Sequence, residues 1–419
     1  MIVRLCILIA SLVIWSCGER KVSTSTDNSH ILSAAEILGH PEYQAISYGG
    51  YRSNSRDVQP TISMIKEDLQ ILHAMGIRII RTYNVHLPHA SNVVRAIAEL
   101  KDKDKSFEMY VMLGAWINCK NAWTSAPDHD AEDVETNQKE IATAIELIKS
   151  YPDIIKILAV GNEAMVKWAA SYFVQPGVIL KYVRQLQALK REGQLPSDLW
   201  ITSSDNFASW GGGGQEYHVD DLNSLIGEVD YLSIHTYPMH DTHYNPDFWG
   251  NQREEEQLAK VERIDKAMIR AVAYAQEQYN SVKNYIDSLG ISKPIHIGES
   301  GWASSSNGFY GAEGSGACDE YKEGLYYKYL RKWTTEKNIA CFYFEAFDEN
   351  WKDAQNPGGS ENHFGLFTID GQAKYALWEK VDQGVFVDLG RNGHRISKSY
   401  GGDESKLLAD VNSPPIKSM

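Results

Sequence analysis

The chain of 419 residues is poor in several features that would assign it quickly. It has five cysteines, and their spacing fits no zinc or CxxC pattern. Cys6 lies in an N-terminal leader and Cys17 stands apart, so Cys119, Cys318 and Cys341 remain, enough for one intramolecular disulfide at most. There is no excess of positive charge: 41 Lys and Arg face 55 Asp and Glu, for a net charge of −14. That argues against nucleic acid or anionic lipid headgroups as partners. No GxGxxG follows the first strand-like segment, and Gly211–Gly214 lies in a polar loop, so a dinucleotide fingerprint is missing. No GxSxG elbow is present either. Beyond the first twenty residues, no apolar run approaches the length needed to span a bilayer.

The aromatic content, by contrast, is generous, with 11 Trp and 23 Tyr. The N-terminus, MIVRLCILIASLVIWSCGER, combines a basic Arg4 with an apolar stretch from Leu5 to Trp15, the pattern of a signal peptide. Ser16-Cys17 then resembles a bacterial lipobox, which predicts lipidation of Cys17 and an envelope lipoprotein outside the cytoplasm, although Trp15 departs from that pattern. Residues 18–40 begin as a polar, Ser/Thr-rich tether that cannot bury a core.

From about residue 41 to 380 the pattern alternates between strand and helix. Strands are expected near 44–48, 77–83, 109–115, 154–160, 199–204, 229–236, 294–298 and 339–345. Helices are expected at Ile62–Met75, His89–Leu100, Asp133–Ser150, Gly177–Arg191, Val261–Leu289 and Glu320–Glu336. In the third of these, Val134, Ile141, Ile145 and Ile148 form an apolar stripe. Strands that are apolar nearly throughout, such as IKILAV and ACFYF, suit a parallel sheet covered on both faces. Eight of them favour a single (β/α)8 barrel over an open doubly wound sheet. Residues 381–419 read as a tail packed on or trailing from that barrel.

Two of the strands end alike. IIKILAVGNE delivers Glu163, and PIHIGES delivers Glu299. On a (β/α)8 barrel, active groups sit at the C-terminal ends of the strands. A retaining glycosidase needs two carboxyl groups roughly 5–5.5 Å apart, one as nucleophile and one that holds a proton for the leaving oxygen. One strand-end Glu could be a structural ion-pair partner; two delivered to the same end make a reacting pair. The loop at 238–258 is rich in His, Asp and aromatics. A metal on His235, His240, Asp241 and His243 is conceivable there, but the spacing is not diagnostic, and a substrate-facing loop with Phe248 and Trp249 as platforms is the preferred reading. No cofactor and no metal are expected.

At this point a resemblance carries the reading further. VGNE at 160–163 and GESGWAS at 298–304 resemble the acid/base and nucleophile motifs of glycoside hydrolase family 17, the β-1,3-glucanases. FDENWK at 347–352, ENHFGLF at 361–367, ISYGGYR at 46–52, DLQIL at 68–72 and IRIIRTYNV at 77–85 resemble further signatures of that family. The resemblance implies Glu299 as nucleophile and Glu163 as acid/base. It implies that Asn162 binds the sugar 2-hydroxyl, that Tyr237 lies against the nucleophile, and that Arg81 keeps Glu299 ionised. Glu349, Lys352 and Glu361 match a polar cluster of the cleft. Tyr48, Tyr51, Trp116, Trp302, Phe347 and Trp351 become candidates for stacking on glucose. Glu345 departs from the apolar residue common at its position. The implied protein is a monomeric, retaining endo-β-1,3-glucanase acting on laminarin-type glucan. A β-1,3-glucanosyltransferase and a non-catalytic glycan-binding lipoprotein are the alternatives.

Overall fold

The computed structural model describes residues 32–416. Cys17 and the leader lie outside these residues. Eight parallel strands close into a barrel: β1 Gln44–Ser47, β2 Ile77–Arg81, β3 Tyr110–Ala115, β4 Ile155–Asn162, β5 Trp200–Asn206, β6 Leu232–His235, β7 Ile295–Ser300 and β8 Cys341–Tyr343. Each neighbours the next in sequence, and β8 pairs with β1. The main helices are α1 Ile62–Ala74, α2 Pro88–Lys103, α3 Val134–Ser150, α4 Pro176–Arg191, α5 Asp220–Glu228, α6 Lys260–Ser288 and α7 Glu320–Glu336. The expected (β/α)8 barrel is therefore what forms.

The strands are buried on both faces for a simple reason. One set of alternating side chains fills the barrel and the other meets the helices. Ala45, Ile79, Met112, Ile157 and Phe342 belong to the inner set, which the short helix Ala34–Ile37 joins. The outer set merges with the apolar faces of the helices into one large core. Helix starts follow local chemistry: Thr61 and Asp133 accept from the backbone amides of Met64 and Thr136, and Pro88 and Pro176 occupy first-turn positions.

Four details differ from the sequence reading. α5 was not expected, although Leu222, Leu225 and Ile226 form its buried stripe; nine residues give a weak periodic signal. The segment after β3 forms a small hairpin, Cys119–Lys120 with Asp128–Glu132. Strand β7 continues through Ser300, so Glu299 lies within the strand. Val134, assigned to the apolar stripe, is exposed at the first turn of α3. Cys119, Cys318 and Cys341 are buried and free.

The C-terminal segment returns to the barrel. Arg391 is buried and donates through Nε to Asp68 of α1 at 2.8 Å. Trp378 Nε1 donates to Ser399 Oγ at 3.0 Å, and Asn251 N to Pro415 O at 2.8 Å. No helix among the described residues is long and apolar enough to cross a membrane.

Candidate active site

Parallel register sets the site. Arg81 ends β2, Asn162 pairs with Ser204, and His235 pairs with Glu299 across the β6–β7 boundary. Strands in register thus bring Arg81, Glu163, His235 and Glu299 to one end of the barrel. The nearest polar atoms of Glu163, His235 and Glu299 lie within 4.8 Å of one another. Backbone shape helps to aim the first of these. Gly161 has φ +84° and Glu163 itself φ +47°, the left-handed region that a non-glycine residue adopts at a cost of order 1–3 kcal/mol when its surroundings enforce it. The enforcement is visible: Glu163 N donates to Ser204 O at 3.0 Å, and Met165 N donates to the buried Asp205 Oδ2 at 2.7 Å.

Glu299 is buried and held from both sides. Arg81 donates to Oε1 at 2.8 Å and the Tyr237 hydroxyl to Oε2 at 2.7 Å. Burial by itself would raise this carboxyl's pKa; His235 and the Arg81 guanidinium, with the Tyr237 hydroxyl, overcome burial and hold it below the usual carboxylate range. Arg81 also donates to Gly298 O at 2.7 Å, and its other nitrogen donates to Asn162 Oδ1. That bond fixes the Asn162 amide with its oxygen inward, leaving the NH2 for a ligand. His235 accepts from Arg81 at Nε2, 3.2 Å. Because a guanidinium can only donate, the imidazole proton sits on Nδ1, 3.1 Å from Glu163 Oε1. His235 therefore bridges the two glutamates, a place the sequence reading gave to a conceivable metal. His240, Asp241 and His243 do not gather with it. His240 lies 3.6 Å from Glu361, Asp241 accepts from Asn245 and Gln278, and His243 stacks on Phe309 at 4.1 Å.

Glu163 and Glu299 line a cleft of about 990 Å3. Tyr48, Tyr51, Trp116, Asn162, Tyr237, Glu349, Trp351, Lys352 and Glu361 are all in its wall. Glu349 accepts from Tyr51 N at 3.0 Å and from Trp351 Nε1 at 3.1 Å. Gly49 permits this: a Cβ there would stand 2.2 Å from Glu349 Oε1. Lys352 pairs with Glu345 and lies over the Phe344 ring at 3.9 Å. Burial pushes Glu345 well above the usual carboxylate range despite Lys352. For Lys352 burial acts against the charged form, yet Glu345 and Glu349 prevail and its pKa is raised. Tyr48 is fully buried, its hydroxyl donating to Asp68 at 3.1 Å, so it forms the base of the cleft rather than an open ring face.

Four expected platforms lie elsewhere. Trp302 is fully buried, packed on Trp249 and Tyr326, and its Nε1 donates to Ala317 O at 2.8 Å. Phe347 is buried against Phe367, with the Arg391 guanidinium 4.1 Å from its ring centre. Trp249 is buried, donating to Ser315 O, and Phe248 stacks on Tyr274. Trp249 and Trp302 are buried where the loops after β6 and β7 pack on each other, and Phe347 is buried under Phe367 and the C-terminal Arg391, contacts that single motifs do not encode. Conversely, Asn84, Trp123, Trp168, Tyr172 and Phe207 line the cleft without having been singled out. Asn84 sits in the quoted IRTYNV motif, whereas Trp123, Trp168, Tyr172 and Phe207 come from loops without a periodic signal.

Residues 45–365 match the BtgE/BtgC glycoside hydrolase domain family. A crystal structure of an endo-laminarinase from Formosa Hel1_33_131 is 63% identical, with a TM-score of 0.92 over 93% of this chain and 99% of that one. A glucan 1,3-beta-glucosidase of Arthroderma benhamiae is 24% identical over 76% of this chain and 85% of its own. A glycoside hydrolase family 17 beta-1,3-glucanosyltransferase from Rhizomucor miehei, 20% identical with a TM-score of 0.54 over 80% of this chain and 96% of its own, shares the fold.

Proposed function

We propose an activity for a chain that belongs to the BtgE/BtgC glycoside hydrolase family: it is an endo-β-1,3-glucanase that hydrolyses laminarin-type glucan with retention. The observation that carries this reading is that a carboxyl oxygen of Glu163 and one of Glu299 lie within 4.8 Å of each other in the wall of one cleft, with the chain's 63% identity to an endo-laminarinase in support. Such closeness suits a nucleophile and an acid/base flanking one bond; an inverting pair would stand ~6.5–9.5 Å apart to admit a water.

Glu299, ionised and aimed by Arg81 and Tyr237, attacks the anomeric carbon. Glu163 gives its proton to the departing glycosidic oxygen, and a covalent glucosyl–Glu299 ester forms. Glu163, now a carboxylate, takes a proton from water; that water attacks the anomeric carbon, and Glu299 is released with a β-anomeric product. His235 holds Glu163 over the bond, and the Asn162 NH2 meets the 2-hydroxyl of the reacting sugar. Tyr51, Trp116 and Trp351 offer faces to further glucose units, with Glu349, Lys352 and Glu361 reaching their hydroxyls. Trp302 and Phe347 act through packing. The N-terminal leader and Cys17 support a lipid-anchored enzyme acting outside the cytoplasm of a bacterium.

Product analysis on linear β-1,3-glucan tests the reading. Wild type is expected to release short oligosaccharides, β-anomer first, while Glu299→Ala and Glu163→Ala each lose about 10²–10⁴-fold or more in turnover. Products longer than the donor would instead indicate a glucanosyltransferase. Absence of cleavage by wild type, or undiminished cleavage by both variants, refutes it.

A further inference from the structure

A second cavity, of about 550 Å3, adjoins the cleft. The two share Arg56, Asn84, Trp116 and Trp123 in their walls, so a chain passing these residues in the cleft has the second cavity beside it. Its far side is α3: Thr136, Lys139, Glu140 and Thr143 recur at spacings that keep them on one helix face.

The recess is a built feature. Glu140 is buried, and its Oε1 accepts from the backbone amides of Val85 at 2.7 Å and Trp116 at 3.0 Å. Its Oε2 lies 3.1 Å from His86 Nδ1. One helix carboxylate therefore pins the loops after β2 and β3 at a fixed distance from α3. The Trp116 indole at the mouth is locked by its Nε1, which donates to Asn118 Oδ1 at 2.8 Å. A volume of this size falls in the range of preformed small-molecule sites. The wall offers hydroxyls, two amides and indole rings, with acids and bases both present, which suits a neutral, hydroxyl-rich ligand.

In a β-1,3-glucan the main chain links C1 to C3, and the exocyclic C6 hydroxymethyl points away from it. A substituent on C6 needs room beside the cleft. We propose that this cavity receives a single β-1,6-linked glucosyl branch carried by the β-1,3-glucan chain in the cleft. The inference rests on the glucanase reading and names which decorated substrates that cleft accepts.

The test compares a linear laminarioligosaccharide with the same oligosaccharide bearing one β-1,6-glucosyl branch. The recess is filled by Thr136→Trp, an exposed helix position whose backbone amide keeps its bond to Asp133, and separately by Thr143→Trp. Wild type is expected to cleave both substrates. The filled variants keep kcat/KM on the linear substrate within about twofold and lose about tenfold or more on the branched one. Calorimetry in the Glu299→Gln background gives a readout free of turnover: filling should weaken branched binding about tenfold and leave linear binding unchanged. Parallel loss on both substrates, or unchanged use of the branched one, overturns the proposal. If wild type cleaves neither, the glucanase reading fails, and calorimetry alone decides the recess: binding favoured by the branch and lost on filling upholds it, equal binding overturns it.

Discussion

Replacing Tyr237 by Phe removes one hydroxyl from beside Glu299, the proposed nucleophile, and little else. The ring is locked by neighbours that Phe retains: it stacks on His240 at 5.3 Å and meets Phe344 and Phe364 edge-on. What disappears is the 2.7 Å bond to Glu299 Oε2. A hydrogen bond to a charged group contributes about 1.5–3 kcal/mol. It acts only on the ionised form, since the protonated carboxyl gains little from a donor. Removing it therefore raises the pKa of Glu299 by the equivalent of that bond's energy. The direction follows from the wild-type balance, in which partners outweigh burial and hold Glu299 low. In the proposed mechanism Glu299 must be ionised to attack, so the acidic limb of the kcat/KM profile should move to higher pH by that amount. Arg81 remains, so attack continues on the plateau at a reduced rate. The assay is initial-rate hydrolysis of a laminarioligosaccharide from pH 3 to 8. Stability gives a second check. A depressed carboxyl contributes stability above its unfolded pKa and loses it as pH falls through the folded one. The variant's deficit in urea should therefore be largest near neutral pH and shrink in acid. An acidic limb that stays in place while the rate falls would refute the argument that Tyr237 acts by holding Glu299 ionised.

Other outcomes follow from the same geometry. Burial raises Asp205 from its ordinary 3.8 to about 6, so its contribution to stability is full below 3.8 and is lost as pH rises through 6. Asp205→Asn, which cannot titrate, should therefore close the gap to wild type by up to roughly 3 kcal/mol between pH 4 and 7 in urea denaturation. Misplacing Met165 should also lower kcat more than it raises KM. Trp302→Phe strands the Ala317 carbonyl and leaves a void, so the unfolding midpoint should drop, by about 1–3 kcal/mol in stability, with KM unchanged. Trp351→Ala, in the cleft wall under the Arg56 guanidinium, should do the reverse: KM rises several-fold and the midpoint stays put.

Much of the fold was readable because the determinants are local. ACFYF is apolar at every position and IKILAV at all but Lys156, whose ammonium reaches Asp198 at 2.8 Å, a pattern that suits a strand covered on both faces, and the six expected helices lie within a few residues of their expected ends. The two glutamates were readable for the same reason: a Gly and a carboxylate at a strand's C-terminal end have a fixed destination once the strands close into a barrel. The aromatics were not. Trp302 and Phe347 sit in motifs as suggestive as that of Trp351, yet two are core and one lines the cleft. A ring's exposure depends on which loops pack over it.

By itself, then, the sequence determined the barrel and the end of it at which Glu163 and Glu299 meet, because strand and helix periodicity and strand-end position are properties of short segments. Only the tertiary structure decided that His235 bridges those carboxylates, that Arg81 ties Glu299 to Asn162, and that Glu140 props open a recess beside the cleft. Each of these joins residues from separate strands and loops, through distances that only the closed barrel sets.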